Sequence, residues 1–364
     1  MLEATSETAG RWARRGLTAI AALGAVSALV AAVWAGLGRM GAVPPPPGWL
    51  VAAHGPLIVN GFFGAVISLE RAVAVDRLPA YAIPALAAAG TWLAVGGGAP
   101  SARWLAAAAA LGAVVLFATV TYRAPELHHA VMGAGAVAWA AGATIWAVEG
   151  GGSWTAPLRA PWWAAFLIAT IAGERLELAR VLRPGPWQRR ALVSSVGLLL
   201  VGAGWATFEP GMGVPVFALG VVGIAVWLGL FDVARRTARR EGLTAYIGRV
   251  LLVGYAWLGV GGGLLVAAGG ATAGPLFGAA WHAVLLGFVF SMIFAHAPVV
   301  LRALAGLRVS FHPVLYTGPV VLSLTLVLRV VGDLGGWFAL RSAGGIGNAA
   351  AIGLFALSVA VRLE

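Results

Sequence analysis

The sequence contains no cysteine. Disulfides, iron–sulfur clusters, thiolate metal sites and cysteine nucleophiles are therefore excluded. Charge is scarce too, at 10% of 364 residues, where a soluble domain carries about 25%. A soluble globular enzyme is excluded on that ground. Lysine is missing, so all 24 basic residues are arginine. There is no His-Glu-x-x-His, no Gly-x-Ser-x-Gly and no phosphate-binding loop ending in Lys-Ser/Thr, so zinc-protease, serine-hydrolase and nucleotidase chemistry has no residues to act through.

What is abundant is apolar sequence: 60% hydrophobic residues and a mean hydropathy of +0.91. It falls into twelve blocks, at 16–37, 49–70, 81–98, 104–122, 128–148, 162–181, 190–208, 213–232, 246–268, 277–300, 313–332 and 344–362. About 20 apolar residues span the hydrocarbon core as a helix. Helices are expected because backbone polar groups in lipid must be satisfied within the segment; the ~10-residue alternation of a membrane barrel is absent. The expected fold is an all-α polytopic membrane helix bundle, a single integral membrane domain over 1–364. The first block is too long for a secretory leader and lacks a cleavage pattern, so it is expected to be a span.

The net charge of +11 does not point to nucleic acid, because the arginines sit in short loops rather than along one face. They read as topology signals and contacts to anionic lipid. With the N-terminus in the cytoplasm, only Arg39, Arg103, Arg159, Arg329 and Arg341 fall outside and the other nineteen fall at the inner side. This predicts a bacterial inner-membrane protein with both termini cytoplasmic. Membrane lipid is the expected partner, and the apolar surface also allows a homo-oligomer.

Blocks two, six and ten resemble one another. Aligned without gaps, Glu70-Arg71, Glu174-Arg175 and His296 coincide, and all three helices run from outside to inside. The reading is a repeat of four-helix units, 16–122, 128–232 and 246–362, in a pseudo-threefold arrangement. Chance similarity between apolar helices is the competing explanation.

Ionisable groups inside spans are costly and mark function by default. His54 and His282 each sit about five residues in from the outer end of blocks two and ten, ~8 Å deep at ~1.5 Å per residue. Two imidazoles at equal depth suit axial ligation of one haem iron; the bland alternative is hydrogen bonding near the headgroups, where Trp49 and Trp281 also belong. Toward the inner face lie Glu70, Arg71, Glu174, Arg175, Glu177 and His296, with His128 and His129 at the start of block five. Such a group can relay protons, bind a hard metal, or bind an anion, with His296, Glu70 and Glu174 as the candidate ligands. Simple pairing of snorkelling side chains at the interface is the alternative. In an unbroken α-helix His282 and His296 would lie ~40° apart on one face, ~21 Å apart along the axis.

The run Trp281-His282-Ala283-Val284-Leu285-Leu286-Gly287, followed by Met292 and Arg302, resembles a signature of the NnrS family, in which Gly follows the His by five residues and Met by ten. His54 followed by Gly61-Phe62 is similar to that family's other histidine motif, with a gap of seven residues where five is usual. The resemblance implies a twelve-helix bacterial membrane protein linked to nitric oxide stress and denitrification. It also implies haem b, with copper as a further metal and nitric oxide as a small diatomic ligand. The layout is similar, more distantly, to subunit I of the haem–copper oxidases, whose low-spin haem is held from the second and tenth helices. Blocks six and seven contain no histidine, so the oxidase copper site and dioxygen reduction are not implied, and an oxidoreductase-like activity stays open. The alternatives are a transporter or channel for a small ion or anion without cofactor, and a scaffold whose polar residues only fix packing. No interrupted helix pair is visible in the sequence to favour transport.

Overall fold

The computed structural model describes residues 2–150 and 156–364. Twelve long helical segments follow the twelve apolar blocks. They are α1 (Leu2–Arg39), α2, α3 (Ala82–Val95), α4 (Ala99–Arg123), α5 (Leu127–Val148), α6 (Ala156–Leu178), α7 (Pro186–Ala206), α8 (Pro210–Phe231), α9 (Gly242–Ala268), α10, α11 (Thr317–Gly335) and α12 (Phe338–Ala360). Among the described residues the only strand-like pairing is one bridge, Val309 to Leu363. Among the described residues, ten segments are long and apolar enough to cross a membrane; α6 and α7 are not among them. Aliphatic side chains such as Leu111, Val115, Leu219 and Leu324 are exposed, an arrangement a bilayer tolerates and water does not. The chain is an all-α, multi-pass membrane protein.

The two remaining helices are composite. α2 begins with Gly48–Ala52, breaks at Ala53, resumes at His54–Pro56, widens into a π segment over Leu57–Phe63 (π1) and ends as α-helix Gly64–Val75. α10 runs Pro275–His282, widens over Ala283–Phe290 (π2) and ends as Ser291–Ala305. Both helices thus carry a π widening, within spans that run continuously over His54–Val75 and Pro275–Ala305. It also corrects the expected face: one residue taken up by π2 turns the helix by roughly 100° relative to an unbroken one, so His282 and His296 no longer share a side.

The chain divides into two compact units: Met1–Pro125 with Ala136–Arg159, and Glu126–Gly135 with Ala160–Glu364. In the first, α1 packs along α3 and π1, and α3 along α4. In the second, α7 packs on α8, α8 and π2 on α9, and α11 on α12. Backbones approach closely where side chains vanish: a Cβ on Gly202, Gly213 or Gly220 would strike the backbone of the facing helix in the α7–α8 pair, the small-residue contact membrane helices use.

Proline supplies a local test of this packing. Pro298 lies inside α10 and has no N–H, so the carbonyl four residues earlier, on Phe294, loses its helical donor. Tyr246 Oη of α9 donates to that carbonyl at 2.9 Å, and Tyr246 is fully buried. Tyr246→Phe is expected to destabilise the fold by about 1–3 kcal/mol, the cost of leaving one buried acceptor unmet, measurable as a lowered thermal midpoint in detergent.

Candidate functional site

In the first unit, His54 opens the stretch that leads into π1. Its Nδ1 lies 2.7 Å from the Ala32 carbonyl oxygen of α1. A carbonyl only accepts, so Nδ1 carries the proton and the neutral ring bears its lone pair on Nε2. The ring edge rests against Gly36, where a Cβ would stand 3.0 Å from Cε1 and 3.2 Å from Nδ1. One turn of α1 thus supplies both the hydrogen-bond acceptor and the clearance for this imidazole. Below it, Asn60 of π1 is buried; its Oδ1 accepts from Trp139 Nε1 at 2.8 Å, and its Nδ2 donates to the Pro56 carbonyl at 3.4 Å. A void of about 10 Å³ beside Asn60, Gly61 and Thr91 has room for a single water.

In the second unit, His282 ends the first part of α10, immediately before π2. Its Nδ1 lies 2.6 Å from the Gly278 carbonyl. The consequence is the same: proton on Nδ1, lone pair on Nε2. Close to Gly278, a Cβ at that position standing 3.8 Å from its Oδ2, lies the buried carboxylate of Asp333 on α11. Asp333 pairs with Arg341 Nε at 3.0 Å and faces Arg329 Nε at 3.9 Å. Sequence reasoning assigned both arginines to loops; the structure gathers them around an aspartate it had passed over.

At the other end of the second unit, a buried ion pair organises the polar residues. Arg175 of α6 donates through Nε and Nη2 to the two carboxylate oxygens of Asp232, each at 2.8 Å. Asp232 Oδ1 also accepts from the Ala234 amide, so the carboxylate closes the turn after α8. Arg175 Nη1 points at His296 Nε2 at 3.5 Å, while His296 Nδ1 donates to the Met292 carbonyl at 2.8 Å. The buried Tyr255 hydroxyl of α9 lies beside the pair, in the field of both members. Asp232 and Tyr255 were not singled out by sequence. The only signal was position: Asp232 ends an apolar block just before the Arg235–Arg240 run.

The remaining candidates fall into smaller contacts. His128 is buried, with Nε2 3.9 Å from Glu177 Oε2, and its ring lies 4.2 Å from that of His129. Glu177 also pairs with Arg180 at 3.5 Å. Glu70 and Arg71, neighbours on α2 in the first unit, pair with each other at 3.1 Å. Glu174 belongs to the second unit with His296. Among the described residues, no group of three or more histidine and carboxylate side chains comes together as a metal-binding set. His312 is exposed; its Nδ1 accepts from the Val314 amide and starts the turn before α11.

Comparison with known proteins places this architecture in one family. Residues 18–363 match the family described as Domain of unknown function (DUF8744), and the chain belongs to it. No curated protein matches the sequence.

Proposed function

We propose that this member of the DUF8744 family is an NnrS-like haem protein of the bacterial inner membrane, both termini cytoplasmic, in which His54 of the first unit and His282 of the second are each a residue that would ligate haem. One observation carries the reading: both rings donate Nδ1–H to a backbone carbonyl. That is how proteins fix a ligating imidazole and reserve Nε2 for the metal. The cleared space at Gly36 suits a ring held in one rotamer. When bound, haem b would supply a one-electron couple and an iron able to take nitric oxide. The chain's own contribution is orientation, a fixed tautomer and a hydrocarbon surround.

The Arg175–Asp232–His296 group, with Glu174, is read as a second polar site of the second unit. A cation at His296 Nε2 would face the guanidinium of Arg175, which Asp232 holds in place. That neighbour favours a small anion over copper or another cation.

The test is an optical spectrum with metal analysis on protein purified from haem-replete cells. A Soret band is expected, with His54→Ala and His282→Ala each lowering haem content at least about tenfold, the scale seen when metal ligation is disturbed. Folded, colourless wild-type protein overturns the reading. A second reading, a small-ion or anion transporter, is favoured by the ionisable groups that α2 and α6 carry inside apolar segments, Glu70 and Glu174 among them, since such groups mark ion pathways. Flux in proteoliposomes that falls with Glu70→Gln or Glu174→Gln, in protein lacking a Soret band, selects it.

A further inference from the structure

We propose that the turn joining α8 to α9 in the second unit is a preformed platform for the headgroup of an anionic phospholipid, whose acyl chains lie along an exposed apolar stripe of α8. Charge is the first ground. Arg235, Arg236, Arg239 and Arg240 fall within six residues and all are exposed. The guanidiniums of Arg236, Arg239 and Arg240 make no hydrogen bond or ion pair among the described residues. Of the two carboxylates in this stretch, Asp232 is buried and taken up by Arg175, which leaves the exposed Glu241 against four positive charges. Four like charges this close repel one another, and an anion bound among them relieves that repulsion.

Rigidity is the second ground. The turn is fixed from behind at several points. Asp232 accepts from the Ala234 amide and is itself held through Nε and Nη2 of Arg175. Arg249 Nε of α9 donates to the Ala238 carbonyl at 3.1 Å. The single helical turn Ala234–Thr237 rests on Gly248 of α9, where a Cβ would stand 2.9 Å from the Ala234 carbonyl oxygen and 2.5 Å from Thr237 Oγ1. The backbone is thus seated on α9 while the four arginine side chains stay in the open. A platform ordered before binding loses little further conformational freedom when a ligand arrives.

The surroundings select a lipid over a free phosphate. Leu219, Val226 and Leu230 of α8 are exposed; their spacing of seven and four residues puts them on one helix face. That stripe reaches the platform itself, since Arg235 Nη1 donates to the Leu230 carbonyl at 3.3 Å. Beside it, the exposed Trp187 at the start of α7 meets Phe231 edge-on, with ring centroids 5.2 Å apart. Tryptophan is enriched at headgroup depth, and four or more basic residues just beyond a membrane helix attract anionic lipid. A phosphodiester on the arginines can lay its acyl chains on the stripe, whereas inorganic phosphate gains nothing from it. Nothing in this arrangement depends on haem.

The experiment is native mass spectrometry of the full chain in detergent, offered equal amounts of dioleoylphosphatidylglycerol and dioleoylphosphatidylcholine. Preferential retention of phosphatidylglycerol is expected, weakening as salt is raised. The triple variant Arg236→Gln, Arg239→Gln, Arg240→Gln is expected to lower that preference by about a hundredfold, at about fivefold for each arginine near a membrane surface. Each single variant is expected to lower it by about fivefold, so the test does not depend on the triple variant folding. A control with the same loss of charge, Arg39→Gln with Arg77→Gln and Arg123→Gln, removes three exposed arginines of the first unit and is expected to behave as wild type. Equal retention of the two lipids by the wild type overturns the proposal. So does an equal loss in the control, which would assign the preference to net charge. Displacement of the lipid by inorganic phosphate at the lipid's own concentration would show a free-phosphate site instead and overturns it too.

Discussion

Asp232→Ala is expected to destabilise the protein by about 3–5 kcal/mol, the cost of stranding a buried charge by removing its partner. Arg175 and Asp232 have side chains 4% and 0% exposed, and the guanidinium makes two parallel bonds at 2.8 Å. Without that carboxylate, Arg175 keeps His296 at 3.5 Å and the fields of Tyr255 and Glu174, none of which replaces the two parallel bonds. The paired variant Arg175→Leu with Asp232→Leu is expected to recover most of that loss, since replacing both members of a buried pair by apolar groups is often nearly neutral. Thermal unfolding of the two single variants, the pair and the wild type closes the cycle. Single-variant losses below ~1 kcal/mol, as at an exposed pair like Arg180–Glu177, would show that the pair does not staple α6 to the turn after α8. The pair variant has a second use: a stable protein that has lost its activity assigns the pair to chemistry, with His296, rather than to packing.

The number and order of the helices were legible because a span needs a long apolar run, and the runs are there to count. The two outer histidines were legible because an ionisable group in such a run stands out. The π segments were not. Ala283–Phe290 is apolar throughout, so hydrophobic periodicity has nothing to register, and an inserted residue is visible only against a partner helix. Hydrogen bonds to backbone were equally hidden: no side-chain pattern announces that Ala32 and Gly278 offer the carbonyls that fix His54 and His282. Asp232 was hidden by its neighbours. A carboxylate beside Arg235, Arg236, Arg239 and Arg240 reads as one more interfacial charge, and only folding shows that it turns inward to Arg175 on α6. The expected common face of His282 and His296 failed for a definite reason, that it assumed an unbroken α-helix.

Gly36→Val is expected to impair the His54 site without touching the histidine. A single Cβ at position 36 already stands 3.0 Å from the ring, a distance that alanine accommodates with a shift of a few tenths of an ångström. The two methyls of valine extend beyond that Cβ into the same edge of the imidazole, and a β-branched side chain in a helix has one strongly preferred rotamer. The ring must then leave the Ala32 carbonyl, and with it the tautomer that presents Nε2. Loss of such an orienting hydrogen bond lowers metal affinity by about 10–100-fold, so haem content should fall in that range for Gly36→Val and by much less for Gly36→Ala. The ¹⁵N spectrum should lose the His54 Nδ1–H signature and keep that of His282, whose acceptor, Gly278, lies on its own helix. A Gly36→Val protein with full haem content and an unchanged His54 signature would show that α1 is a passive neighbour. The graded outcome instead makes α1, a helix without one ionisable residue between Arg15 and Arg39, the element that aims the ligand.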